Sequence, residues 1–193
     1  MDPNTKYYKI TNEKEIHHEY EYHDGLNILT EPFAEEGSCV PGGFYFTTIE
    51  HIHKFFDYGI NLREVSFPND PKLRIVKDPS GDKWRSNMII LGKKYSLDDP
   101  LTYKFLIECG FNIYAGNNHA LGWSARNGYL DVVQFLVEKG ADIHVYNNLT
   151  LRLSAQNGHL EVVQFLVEQG ANIYANNNYA LCFSALNGSF KRC

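Results

Sequence analysis

His17-His18, His23 and His51-x-His53, with Cys39 between them, are the side chains whose chemistry could support a metal site. His51 and His53 are two apart, which places them on different faces of a helix, and Cys39 adds only one soft ligand. No convergent ligand set results, so no metal is assigned. The cysteines Cys39, Cys109, Cys182 and Cys193 are scattered without a Cys-x-x-Cys pair, the pattern of reduced thiols. No Gly-x-Ser-x-Gly, P-loop or Rossmann glycine cluster occurs. Asp98-Asp99 and Glu35-Glu36 read as cap and loop charges rather than paired catalytic acids. No cofactor is expected.

One stretch suggests catalysis more directly. Tyr22-His23-Asp24-Gly25 is followed by Gly42-Gly43-Phe44-Tyr45-Phe46-Thr47. A His-x-Gly, then a Gly-Gly-aromatic-Tyr-Phe strand and a helix, resembles ADP-ribosyltransferase domains. That resemblance implies that His23 and Tyr45 hold a nicotinamide nucleotide and that a later glutamate, with Glu64 as the candidate, stabilises the transition state. The sequence departs from the pattern by its extra Asp24. Read from the residues alone, His23 and Tyr45 are a buried hydrogen-bonded pair or plain strand residues. The enzyme is therefore the alternative, and a non-enzymatic chain the primary expectation.

Bulk properties narrow the classes. The 193 residues are 44% hydrophobic and 14% aromatic, which excludes a disordered chain, and the net charge of −5 offers no basic excess for phosphate contacts. Met1 to Lys14 is polar and lacks the apolar core of a signal peptide, and Met88 to Leu91 is far too short to cross a bilayer. Neither nucleic acid nor membrane is an expected partner, and a cytoplasmic or nuclear location is.

The elements that must position any site are set by a repeat. Asn127-Gly128, Asn157-Gly158 and Asn187-Gly188 recur every thirty residues, as do Gly110, Gly140 and Gly170. Tyr129-Leu130-Asp131-Val132-Val133-Gln134-Phe135-Leu136-Val137-Glu138 returns as His159-Leu160-Glu161-Val162-Val163-Gln164-Phe165-Leu166-Val167-Glu168. Such a period predicts a helical solenoid, because one unit cannot bury its own apolar face. Leu130, Val133, Leu136 and Val137 fall on one side of a helix, with Asp131, Gln134 and Glu138 outward. Gly140 is placed to close that helix in a left-handed conformation. Ser124-Ala125, Ser154-Ala155 and Ser184-Ala185 build a shorter first helix of small residues, preceded by the larger Trp123, Leu153 and Phe183. The Asn-Gly pairs turn the chain between the two helices, and the Asn-rich stretches after Gly140 and Gly170 are expected as projecting turns.

Ala-Leu-x-x-Ser-Ala-x-Asn-Gly-His-Leu-Glu-Val-Val-x-x-Leu-Val-x-x-Gly-Ala-Asn-Ile resembles the ankyrin repeat, over roughly residues 98–193. The usual ankyrin unit has 33 residues. Thirty-residue, Asn-rich units such as these are similar to the ankyrin proteins of giant DNA viruses of the mimivirus type. In place of Thr-Pro-Leu-His stand His119-Ala120-Leu121-Gly122, Leu149-Thr150-Leu151-Arg152 and Tyr179-Ala180-Leu181-Cys182, so only the Leu persists. The array divides into 98–116 (partial), 117–146, 147–176 and 177–193 (partial). The resemblance implies a protein-binding scaffold using finger tips and the inner-helix face. By position these are Tyr114, Asn117, Asn118, His119, His144, Tyr146, Asn147, Asn148, Tyr174, Asn177, Asn178 and Tyr179, with Arg126, Gln156 and Leu186. His159, in the turn between helices, is expected to be structural. The unfinished last unit is expected to fray, self-associate or bind, and a truncated array with vestigial binding is a further alternative.

Residues 1–97 lack the period. Tyr7 to Ile10, Phe44 to Thr47, Leu62 to Phe67, Leu73 to Val76 and Met88 to Leu91 read as strands. Ile49 to Tyr58 has helical spacing and ends at Gly59. The expected fold is thus an α+β N-terminal domain, its sheet mixed or antiparallel, followed by an all-α ankyrin-like helical solenoid.

Overall fold

A computed structural model describes residues 5–175. The chain divides into two compact units, Met1–Leu97 and Asp98–Cys193.

The first unit contains β1 (Tyr7–Thr11), a small hairpin of β2 (Ile16–His17) and β3 (Tyr20–Glu21), β4 (Gly25–Ile28) and β5 (Phe44–Thr48). A 3-10 helix (Ile52–Tyr58), β6 (Asn61–Ser66), β7 (Ile75–Lys77), β8 (Trp84–Ser86) and β9 (Met88–Ser96) follow. Seven strands form one antiparallel sheet in the order β4-β9-β6-β1-β5-β8-β7. The unit is more β-rich than the spacing of its apolar residues suggested. The helix expected over Ile49–Tyr58 is a 3-10 turn confined to Ile52–Tyr58, and the strand expected from Leu73 begins at Ile75.

All five residues of β1 are buried. On one face the Tyr7 ring meets Phe46, Phe67 and Trp84 edge-on at 5.4, 5.7 and 5.6 Å. Each such pair contributes about 0.5–1.5 kcal/mol beyond its buried area. Ile52 and Phe56 of the 3-10 helix are fully buried. Two arginines tie loops to this sheet. Arg63, 2% exposed, binds Glu15 at 3.3 Å, the Gly92 carbonyl at 3.0 Å, and Asp24. Arg85, fully buried, donates to the carbonyls of Ala34 at 2.6 Å and Gly37 at 2.7 Å.

The second unit is the helical array: α1 (Pro100–Glu108), α2 (Ala115–Asn127), α3 (Leu130–Glu138), α4 (Val145–Gln156) and α5 (Leu160–Glu168). Asp99 caps α1 by accepting from the Leu101 amide at 2.9 Å, with Pro100 at the first helical position. The outer helices α1, α3 and α5 end alike. Gly140 donates to the Val137 carbonyl and Ala141 to that of Leu136, both at 2.9 Å, the double bond of a Schellman motif. Gly110/Phe111 and Gly170/Ala171 repeat the pair. The φ of +90° at Gly140 is what this closure requires.

The buried face of the outer helices is turned slightly from the expected one. Val132, Val133 and Leu136 are the buried residues of α3, and Val162, Val163 and Leu166 those of α5. Leu130 and Val137 are only half-buried, and their equivalents Leu160 and Val167 are exposed. Of the Asn-Gly pairs at 127–128 and 157–158 only the glycine takes positive φ. Asn127 and Asn157 instead donate from Nδ2 to the carbonyls of Trp123 and Leu153, both at 2.8 Å. They hold the inner helix closed.

The projecting turns are also different. Gly116, Asn117 and Asn118 all have φ between +57° and +59°, as do Tyr146, Asn147 and Asn148 between +49° and +58°. Three consecutive left-handed residues make a tight turn that runs directly into the inner helix. Asparagine tolerates this conformation better than most residues, which accounts for the Asn-rich composition. The third residue of each turn, Asn118 or Asn148, is buried. Its Oδ1 accepts from the amide of Asp142 at 3.1 Å or Asn172 at 3.0 Å. In units 117–146 and 147–176 one asparagine thereby ties the start of the inner helix to the loop that follows the outer helix. His159 links unit 147–176 to unit 117–146, its Nε2 lying 2.9 Å from the Arg126 carbonyl, in keeping with its expected structural role.

Candidate protein-docking groove

The inner helices α2 and α4 lie side by side, and a groove of about 170 Å³ opens between them. Its existence follows from residue size. Gly122 sits where the next unit has Arg152, and a Cβ there would meet only Leu153 Cδ1 at 3.7 Å. The floor is apolar, from Trp123, Leu149 and Leu153. The rim carries Asn117, His119, Arg126 and Tyr146. Trp123 is 6% exposed and is fixed by the Tyr129 ring, 5.5 Å away. Tyr146 is pinned by a hydrogen bond from Asn117 Nδ2 to its hydroxyl, and its carbonyl accepts from Arg152 at 3.2 Å. Trp123 and Tyr146 are held by Tyr129 and Asn117 of their own unit and by Arg152 of the next, so the groove is largely pre-formed.

The structure brings five of the sequence-nominated residues to this groove: Asn117, Asn118, His119, Arg126 and Tyr146. Asn118 is buried there and its carbonyl oxygen is spent on the joint to Asp142. Asn148 is likewise buried, shared between the Asn172 amide and His144 Nδ1 at 3.2 Å. These two asparagines are internal connectors. Tyr114, His144, Asn147, Gln156 and Tyr174 lie outside the groove and are exposed. Tyr114, Tyr146 and Tyr174 are 55%, 59% and 66% exposed, one aromatic per unit. Asn177, Asn178, Tyr179 and Leu186 lie outside the described residues. The apolar floor lies outside the residues that the repeat pattern marks for partner binding. Its signal in the sequence is Gly122, a glycine inside a helix between Leu121 and Trp123.

The residues of the catalytic alternative are each hydrogen-bonded elsewhere. His23 is exposed, with Nδ1 3.0 Å from the Asp24 carbonyl. The Tyr45 hydroxyl donates to the Val40 carbonyl at 2.8 Å and accepts from Arg85 at 3.3 Å. Glu64 accepts from Tyr95 at 2.6 Å. Asp24, held below the usual carboxylate range by its hydrogen bond from Arg63 and that arginine's charge, anchors the turn. His17 and His18 stack at 4.2 Å, and among the described residues no group of three His, Cys, Asp or Glu side chains could hold a metal ion. Among the same residues no helix is long and apolar enough to cross a membrane.

Comparison with known proteins places these geometries. The family model described as Ankyrin repeat matches residues 116–148 and 151–178. A protein of Acanthamoeba polyphaga mimivirus named as an ankyrin repeat protein is 48% identical over 131 residues, covering 66% of this chain and 64% of its own. A second, also named as an ankyrin repeat protein, is 44% identical over 140 residues, 66% of this chain and 46% of its own. An uncharacterized protein of the same virus is 45% identical over 130 residues, 66% of this chain and 94% of its own. The chain thus spans 64% and 46% of the lengths of the first two relatives. Alignments of this extent are longer than the array of 98–193, so they include part of the first unit. On the repeat match, the thirty-residue helical pairs and these relatives, the chain belongs to the ankyrin-repeat family.

Proposed function

We propose that the chain is a non-enzymatic, viral protein–protein interaction module that docks an extended segment of a host or viral protein in the α2–α4 groove. The observation carrying this is the groove itself: an apolar floor opened by Gly122, with the half-buried Arg126 and His119 beside the exposed Tyr146. Hydrogen-bonding aromatics around a small apolar centre suit a protein partner, and the guanidinium of Arg126 favours a segment carrying a carboxylate. Tyr114 and Tyr174 extend the surface along the array, with the host cytoplasm or nucleus as the working compartment. Self-association through residues 177–193 would use a part of the chain outside the described residues.

Gly122→Arg tests the reading. The position is helical, its Cβ meets nothing closer than 3.7 Å, and the next unit already carries Arg152 there. The substitution should fill the groove while leaving thermal unfolding unchanged or slightly raised, since glycine costs a helix about 0.5–1 kcal/mol. Proteins captured from host lysate by the wild type should be lost with Gly122→Arg and with Tyr114→Ala plus Tyr174→Ala. Full retention by both variants would move the docking site out of the array.

A further inference from the structure

The first unit holds a larger hollow. Beside β1 and β5, the 3-10 helix and the chain around residues 29–43 enclose a cavity of about 710 Å³. Small-molecule sites commonly occupy roughly 300–1,000 Å³. Its walls are aromatic, with Tyr20, Tyr22, Phe44, Phe55 and Tyr58. The 3-10 geometry contributes to this, because a three-residue turn puts Phe55 and Tyr58 on one side.

Lys9, from the centre of β1, lines the cavity while only 5% exposed. Its ammonium donates to the Tyr45 carbonyl at 3.0 Å and sits 4.7 Å from the centre of the Tyr22 ring. An ammonium has three N–H groups, and these contacts give one of them an acceptor. Among the described residues no carboxylate is within ion-pair distance of it. The acid whose field it feels, Glu15, binds Arg63 and Asn61 through Oε1 and lies outside ion-pair distance of Lys9. A buried charge without a counterion is costly. Burial accordingly draws the Lys9 pKa down to about 8, with Glu15 opposing. The other cation on the wall, Lys83, is paired with Asp78 at 3.5 Å and Asp82 at 3.9 Å. His17 is held at about 4 by burial and by the charges of Lys9 and His18, so it is neutral at pH 7. Glu19 and Glu31, both exposed, line the same hollow and disfavour a highly charged anion.

We propose that this cavity binds a planar, ring-bearing monocarboxylate, its ring among the tyrosines and Phe44 and its carboxylate accepting from Lys9. One desolvated ammonium matches one anionic group, and the aromatic walls match the ring. The site is separate from the docking groove and does not depend on it.

The test uses the full chain, isothermal titration calorimetry, and a matched pair of probes, 2-naphthoate and the neutral 2-naphthamide. Naphthoate should bind at least about tenfold more tightly than the amide, the effect of one charge-assisted hydrogen bond. Lys9→Met should bring naphthoate down to the amide's affinity and leave the amide unchanged. Gly122→Arg should alter neither. Equal affinity of wild type for acid and amide, no binding of either at millimolar concentration, or an acid preference that survives Lys9→Met would each overturn the proposal. The acid–amide comparison on the wild type decides it even if the variant does not fold.

Discussion

Replacing Asn118 separates the two reasons an asparagine stands where the inner helix meets the loop after the outer one. Asn118→Ala removes the acceptor for the Asp142 amide, at 3.1 Å, and puts an alanine at φ +59°. Losing the bond from a partly buried amide costs about 1–2 kcal/mol, and holding a Cβ-bearing residue in the left-handed region adds about 1 kcal/mol. The array should therefore lose about 2–3 kcal/mol. Asn118→Gly removes the same bond but relieves the conformation, so it should cost about 1 kcal/mol less than the alanine. Urea unfolding followed by the fluorescence of Trp123, in a Trp84→Phe background so that it is the sole reporter, would read this. At a slope of about 1–3 kcal/mol per molar urea, the alanine variant shifts the midpoint by about 0.7–3 M. A cost below about 0.5 kcal/mol for alanine would refute the joint, and a glycine variant as unstable as alanine would refute the strain.

Gly128→Ala should cost at least about 2 kcal/mol, because φ is +79° and a Cβ would lie 2.4 Å from His159 Nδ1. Chemical unfolding in a His159→Ala background should recover the clash but not the backbone strain. Lys9→Met should stabilise the first unit at pH 7 by up to roughly 3 kcal/mol, the free-energy equivalent of the lowered pKa. The sign follows from proton binding: between about pH 8 and the ordinary lysine value the unfolded chain holds more protons than the folded one. Wild-type stability thus rises with pH across that window, and thermal unfolding of Lys9→Met should lack the rise. Arg85→Met removes the donors to Ala34 and Gly37 and should expose residues 34–43 to limited proteolysis before the sheet is cut.

The array was legible because its signals are local. Gly140 closes α3, Asp99 caps α1 and the period of thirty recurs within a few turns of chain. What escaped were properties decided by a neighbour. The burial of Val132 in preference to Leu130 depends on which side the adjacent pair occupies, and the burial of Asn118 on where the Asp142 amide arrives. The groove was half legible: Asn117, His119, Arg126 and Tyr146 were nominated as surface residues, while the floor depends on an absent side chain at Gly122. In the first unit, β4 and the β2–β3 hairpin are short and partly exposed, so their strand character comes from pairing rather than from apolar alternation. Lys9 is a polar residue in a buried strand, and no local pattern marks such a residue as interior.

The asparagine joints carry a consequence for how such chains change length. Asn118 meets Asp142 and Asn148 meets Asn172 through the same atoms at the same separation, and each link uses only a side-chain oxygen and a main-chain amide. The receiving residue's identity is irrelevant, since any residue other than proline offers that amide. Each bond lies inside one thirty-residue block, so a duplicated block brings its own tie and a lost block takes only its own away. The groove between two inner helices is not copied so faithfully, since it depends on which block contributes a glycine where its neighbour has an arginine. A lineage can thus multiply blocks freely while setting, by single substitutions at that one position, where along the stack an opening occurs.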